Sequence, residues 1–148
     1  MRLDHGGLLV SDVARALRFY TGALGLAEAP RPPTFDTPGA WLQVGEQQLH
    51  LIGETEPGRA RELHPGYDPA EIAIGYGSHV ALVVDDLDAA LARAAEHGVE
   101  PGGPVIARGD GVERAFVTDP DGNIVELMQT GIAVTGAEPR FTAPVRGG

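Results

Sequence analysis

Three histidines and one glutamate carry the chemistry that this chain could perform. His5 and His79 stand 74 residues apart in nearly the same local sequence, Asp4-His5-Gly6-Gly7-Leu8-Leu9-Val10-Ser11-Asp12 and Ser78-His79-Val80-Ala81-Leu82-Val83-Val84-Asp85-Asp86. His50 and Glu126 hold matching places near the close of each half, in Gln48-Leu49-His50-Leu51-Ile52 and Ile124-Val125-Glu126-Leu127-Met128. A neutral imidazole offers a nitrogen lone pair and a carboxylate offers oxygen. A divalent ion needs several such donors at about 2.0 to 2.2 Å. One histidine on a strand is ordinarily structural, but four donors at equivalent points of a repeat imply one shared metal site. Zinc, iron, manganese, nickel and cobalt all accept this donor set. With no cysteine in the chain, thiolate ligands, disulfides and cysteine nucleophiles are excluded.

Placing such donors requires particular elements. Residues 3–10 and 77–84 read as strands, and each leads into a helix. Ser11 or Asp12 caps the first, with Val13, Leu17, Tyr20 and Leu24 on one stripe and Gly25 as its stop. The second starts after Asp86, buries Leu87, Leu91, Ala94 and Ala95, and ends at Gly98. Strand character follows around Thr34 and over 40–44 and 47–52 in the first half, and over 105–107, 114–118 and 123–129 in the second. The expected fold class is therefore α+β: two β-α-β-β-β modules forming a cupped mixed sheet. Their expected bounds are 1–53 and 77–129, with a connecting loop or lid at 54–76 and a tail at 130–148.

Alternation along strands puts His5 with Leu3, Gly7 and Leu9, and His79 with Gly77, Ala81 and Val83. Small neighbours leave room beside each histidine. Leu49, Leu51, Val125 and Leu127 suit the face under the helices, so His50 and Glu126 take the opposite, concave face. Aligning the halves places Trp41 and Gln43 opposite Arg114 and Phe116, and these four are the candidate substrate contacts. The aromatics suit an apolar ligand, and Arg114 a carboxylate or enolate oxygen.

Asp119-Pro120-Asp121-Gly122-Asn123 reads as a tight turn that sets the register of Glu126, since its glycine falls too early for a calcium loop. His97, just before Gly98, complements a helix C-terminus. His64, Arg59 and Arg61 read as solvated groups of the connecting loop.

The charge of −10, from 21 acidic residues against 11 arginines and no lysine, leaves no basic cluster for phosphates, so nucleic acid is not an expected partner. No apolar run approaches the roughly 20 residues that span a bilayer. The start of the chain does not read as a secretory signal, and a cytoplasmic protein without a membrane partner is expected.

The His5 and His79 strand openings, Phe19-Tyr20-Thr21-Gly22-Ala23-Leu24-Gly25, and the run from Phe116 to Glu126 resemble the vicinal oxygen chelate superfamily, which includes glyoxalases, bleomycin-resistance proteins and extradiol dioxygenases. The likeness covers roughly residues 3 to 129. It implies paired β-α-β-β-β modules, a bound divalent metal, a small-molecule substrate and a homodimer. His5, His79 and Glu126 fall on the family's usual ligand positions, whereas His50 stands where resemblance to glyoxalase I would require Glu or Gln. The reading this favours is a metal-dependent lyase or isomerase stabilising an enolate or alkoxide, with Glu126 also as the catalytic base. Alternatives are an Fe(II) ring-cleaving dioxygenase on His5, His79 and Glu126, a metal-dependent resistance transferase, and a non-catalytic antibiotic-binding protein.

Overall fold

Residues 1–64 and 66–142 are described by a computed structural model; residues 143–148 of the expected tail lie outside them. The chain divides into two compact units, Met1–Pro65 with Asp119–Asn123, and Gly66–Thr118 with Ile124–Gly148. The first contains β1 (His5–Val10), α1 (Val13–Leu17), a π-helix (Arg18–Ala23), β2 (Ala27–Ala29), β3 (Gly39–Val44), β4 (Gln47–Gly53) and α2 (Arg59–Glu62). The second contains α3 (Pro69–Ala73), β5 (His79–Val83), α4 (Leu87–Glu96), β6 (Ile106–Ala107), β7 (Val112–Thr118) and β8 (Ile124–Thr130). Each sheet has four strands, ordered β1-β4-β3-β2 and β5-β8-β7-β6. In each the first pair is parallel and the others antiparallel. This is the expected α+β class.

The repeat holds at the level of register. His5 pairs with Gln48 and Gly7 with His50, while His79 pairs with Ile124 and Ala81 with Glu126. Each donor of the closing strand thus faces a small residue two positions beyond the histidine of the opening strand. On the other face Leu42, Leu49 and Leu51 form the core of the first unit, and Leu82, Ala115, Val117, Val125 and Leu127 that of the second.

Several local expectations change. Thr34 is not in a strand: β2 lies earlier, because Pro30, Pro32, Pro33 and Pro38 deprive the following segment of the amide donors a ladder needs. Asp12, not Ser11, caps the first helix, accepting from Arg15 N at 2.9 Å. That helix widens after Leu17 into the π form, with Leu24 N donating to Phe19 O at 3.1 Å and the Thr21 hydroxyl to Leu17 O at 2.7 Å. The change of pitch moves the buried stripe to Ala16, Phe19, Tyr20 and Ala23, leaving Val13, Leu17 and Leu24 only half-buried. In α4, Leu87 and Ala94 are buried as expected, but Ala95 is exposed. The segment 54–76 carries α2 and α3 rather than loop alone, and α3 packs on β7. Its start is a capping box, with Asp68 accepting from Glu71 N, Glu71 from Asp68 N, and Pro69 in the first turn.

The turn Asp119–Asn123 groups with the first unit. Asp119, 4% exposed, accepts from Tyr20 Oη at 3.0 Å, Asp121 N and Asn123 N at 2.9 Å each, and Asn123 Nδ2 at 2.8 Å. Asn123 Nδ2 also donates to Leu9 O at 3.1 Å. Burial first, and Asp119's charge second, push the Tyr20 phenol far above its ordinary range, so it stays a donor. Asp119→Ala strands several buried donors at once and should cost about 3 kcal/mol in urea unfolding, while Tyr20→Phe should cost about 1 kcal/mol. The exposed Asp36→Ala should stay within about 0.5 kcal/mol of the parent. Equal midpoints for Asp119→Ala and Asp36→Ala would remove the turn from its structural role.

Candidate functional site

Each unit brings two of the four expected donors together. In the first, the rings of His5 and His50 stack with centroids 4.1 Å apart and planes 15° apart. Trp41, paired with His50 across β3 and β4, stacks at 4.2 Å and 3°, and Phe35 meets Trp41 edge-on at 5.5 Å. In the second, His79 Nε2 lies 3.2 Å from Glu126 Oε2, and Phe116 sits edge-on to His79 at 5.6 Å. Among the described residues, no three or more His, Asp or Glu groups come together in a cluster that could hold a metal ion.

All three histidines have one ring nitrogen engaged by an oxygen. His5 Nδ1 meets Asp4 Oδ2 at 2.9 Å, His50 Nε2 meets Gln48 Oε1 at 2.9 Å, and His79 Nδ1 meets the Gly77 carbonyl at 2.9 Å. In the neutral ring that nitrogen carries the proton, and the other keeps its lone pair. An outer oxygen fixing the tautomer in this way is the arrangement that metal-ligating histidines require. The spacing in the second unit fits as well. Two ligands at about 2.1 Å from one ion, at angles between square and tetrahedral, stand about 3.0 to 3.4 Å apart, which brackets the 3.2 Å from His79 to Glu126. The His79–Glu126 pair is therefore spaced to suit a divalent ion.

Electrostatics separate the pairs. Burial, followed by the charge of His5, holds His50 below the ordinary imidazole range, which favours its neutral, ligating form. The Asp4 carboxyl is held low by its hydrogen bond from His5. Glu126, 3% exposed, instead accepts from Arg114 Nη1 at Oε1, 3.2 Å away, and Arg108 Nη1 approaches the same oxygen at 3.9 Å. Oε2 is left facing His79. Arg108 is itself tied to Asp110 by contacts of 2.8 to 3.1 Å.

The remaining candidates fall in varied places. Pairing shifts the alignment of the halves by two residues: Trp41 and Phe116 are equivalents, each opposite a donor, whereas Arg114 matches Gly39. A shift of two keeps every side chain on the same face. Gln43 braces the β3–β4 turn, donating to Gly45 O and Gln47 O. Arg114 and Phe116 are buried, at 9% and 2% exposure. The face they share is covered in the second unit by the segment after α3, where a Cβ added to Gly75 (φ +73°) would lie 2.8 Å from Phe116 Cζ. His97 caps α4, with Nδ1 at 3.0 Å from Arg93 O. His64 is half-buried against Gly122 rather than solvated. Arg61 borders an open polar cavity of about 330 Å³ with Ser11, Arg15, Glu54 and Asp121, and Arg59 pairs with Glu62 at 3.5 Å. Sequence reasoning missed Phe35, Gln48 and Arg108, whose roles arise from cross-strand and loop contacts.

A fold of two β-α-β-β-β units, each with a histidine on its opening strand and a donor at the same point of its closing strand, is the glyoxalase-like arrangement. The model of the Glyoxalase/Bleomycin resistance protein/Dioxygenase superfamily matches residues 2–127, and the chain belongs to that superfamily. It is 32% identical over 134 residues to a lactoylglutathione lyase of Escherichia coli O157:H7, covering 87% of this chain and 93% of the relative. A glyoxalase family protein of Bacillus anthracis superimposes with a TM-score of 0.65 at 27% identity, over 88% of this chain and 95% of the other. TnmS3, an antibiotic binding protein from Streptomyces sp. CB03234, does so with 0.64 at 25%, over 88% and 96%. No described helix is long and apolar enough to cross a membrane.

Since burial is the main cause of the low His50 pKa, Trp41→Ala should raise it by exposing the ring. His5→Ala should raise it too, by removing both cover and a like charge. Imidazole titration of metal-free protein by NMR reads both changes; an unmoved His50 in Trp41→Ala would show that stacking does not desolvate it.

Proposed function

We propose that the chain is a metal-dependent lyase or isomerase that stabilises negative charge on two neighbouring oxygens of a small substrate, with His5, His50, His79 and Glu126 as ligand set. The observation that carries this reading is the 3.2 Å approach of His79 Nε2 to Glu126 Oε2, with His79 Nδ1 directed at a backbone carbonyl. A lone pair facing a carboxylate is repulsive until a cation or a proton stands between them. A divalent ion bound by these groups supplies Lewis-acid stabilisation of an enolate or alkoxide. Zinc, iron, nickel, manganese and cobalt all suit the donors.

The residues of the chain divide the rest of the work. Arg114 holds Oε1 of Glu126 and so presents Oε2. This oxygen is the proton carrier of the proposal, because a carboxylate that shares its charge over two atoms can release one contact and accept a proton. His50 cannot do the same: its Nε2 is engaged by Gln48, and its other nitrogen is the one available to metal. Trp41 and Phe116 provide the apolar walls. The relatives named lactoylglutathione lyase support the reaction class, while an imidazole at position 50 limits proton transfer to one carboxylate. The chain works as a homodimer in the cytoplasm under this proposal.

Protein purified without added metal should contain close to one divalent ion per chain by elemental analysis. His79→Ala and Glu126→Gln should each lower metal affinity by about 100-fold or more. The wild type should isomerise the hemithioacetal of methylglyoxal and glutathione slowly, and His50→Glu should raise kcat by about tenfold or more by adding a second carboxylate. Metal affinity unchanged in both ligand variants would overturn the site; a drop in kcat with retained metal in His50→Glu would overturn the assignment of position 50.

A further inference from the structure

Arg114 is a buried charge of the second unit that is only partly satisfied. Its guanidinium lies between two rings, with Cζ 4.9 Å from the centroid of Phe116 and 4.9 Å from that of Phe141. Nη1 serves Glu126, but Nε is buried without a hydrogen-bond partner. A charged donor with no acceptor is costly to bury. The contrast with Arg108 is informative, because that guanidinium has its Nε and Nη2 satisfied by Asp110. The two covers over Arg114 also differ. Phe116 belongs to β7 and is 2% exposed, whereas Phe141 belongs to the irregular C-terminal tail and is 39% exposed. The tail is held to the body of the unit by Ile132 N donating to Gly111 O at 3.0 Å, nine residues before Phe141. A ring carried on such a segment is the cover that can leave.

We propose that the Nε edge of Arg114 is the docking point for a carboxylate on the substrate, and that Phe141 is a displaceable cover which competes with that substrate for the guanidinium. A guanidinium presents parallel N–H donors that match a carboxylate, which a lysine cannot reproduce. Phe116 and the tail make the surroundings apolar, so a carboxylate attached to a ring or similar apolar group is preferred over acetate. Arg114 then does two things with separate atoms: Nη1 orients Glu126, and Nε receives the anion beside it. This deepens the function proposed above and rests on it in taking Glu126 as the reacting carboxylate.

Benzoate is the probe, titrated by ¹H–¹⁵N NMR into the full chain stripped of metal, with the Arg Nε–H signals as readout and benzamide as the uncharged control. Benzoate should shift the Arg114 Nε–H signal saturably, and benzamide should not. Arg114→Lys, followed through the backbone amides that benzoate shifts in the parent, should weaken benzoate by roughly tenfold or more. Phe141→Ala should tighten it by about threefold or more, because a larger fraction of molecules presents the guanidinium uncovered. Benzoate binding that Phe141→Ala leaves unchanged or weakens overturns the proposal, as does equal binding of benzamide. If Arg114→Lys fails to fold, Phe141→Ala decides alone, since the exposed ring can be removed without opening the core. Because the titration contains no metal, its outcome is read separately from metal uptake: failure of benzoate leaves the ligand set standing, and failure of metal uptake leaves the anion result standing.

Discussion

The buried carboxylate of Asp119 is the contact on which the arrangement of the donors depends. Four hydrogen bonds converge on it, from a phenol, two backbone amides and a side-chain amide. Removing a carboxylate of 4% exposure from water is costly, and only this many donors offset the cost. The consequence is geometric. The turn can close only with Asp119 and Asn123 at its ends, where Asp119 N donates to Asn123 O, and this sets Thr118 opposite Ile124 and Phe116 opposite Glu126. A slip of one residue would send Glu126 to the apolar face occupied by Val125 and Leu127.

With register so fixed, the two sheets repeat each other closely in backbone and diverge in chemistry. At equivalent points the first carries an imidazole under a tryptophan, and the second a carboxylate beside a phenylalanine. The imidazole is kept neutral by burial and by its like neighbour. The carboxylate is kept among guanidinium groups. One backbone plan thus places an imidazole in the first unit and a carboxylate in the second at equivalent points, a divergence that a strict sequence repeat could not provide.

Much of this was legible because it is local. The two histidine openings, the aspartates that cap both helices, Gly98 at a helix end with φ +73°, and the Asp119–Asn123 turn each announce themselves within a few residues. The equivalence of His50 and Glu126 was readable from the spacing alone and holds in the pairing. The π-helix was not, because Thr21 turning its hydroxyl onto Leu17 O is a choice that apolar periodicity does not encode. The α3 helix was readable in principle: Asp68-Pro69-Ala70-Glu71 is a capping box with proline in the first turn, obscured by the glycine- and charge-rich composition around it. The two-residue shift that pairs Trp41 with Phe116 was hidden for another reason, since a shift of two preserves alternation and leaves no mismatch for a sequence alignment to detect. Nothing local marks Phe141 as a partner of Arg114, a contact spanning 27 positions and made by an irregular segment.

The position of Arg114 bears on what Glu126 can do. A guanidinium that donates to one carboxylate oxygen fixes the rotamer of the whole group, so the second oxygen is aimed without any further hydrogen bond. Under the proposal made for Arg114, an anion arriving at Nε draws on the same guanidinium and weakens its hold on Glu126. Substrate arrival would then loosen the contact that holds the rotamer of Glu126. The unpartnered Nε is, on this argument, the complement of the partnered Nη1. The cation–π cover by Phe141 keeps the guanidinium from solvent without supplying the acceptor that would cancel its charge.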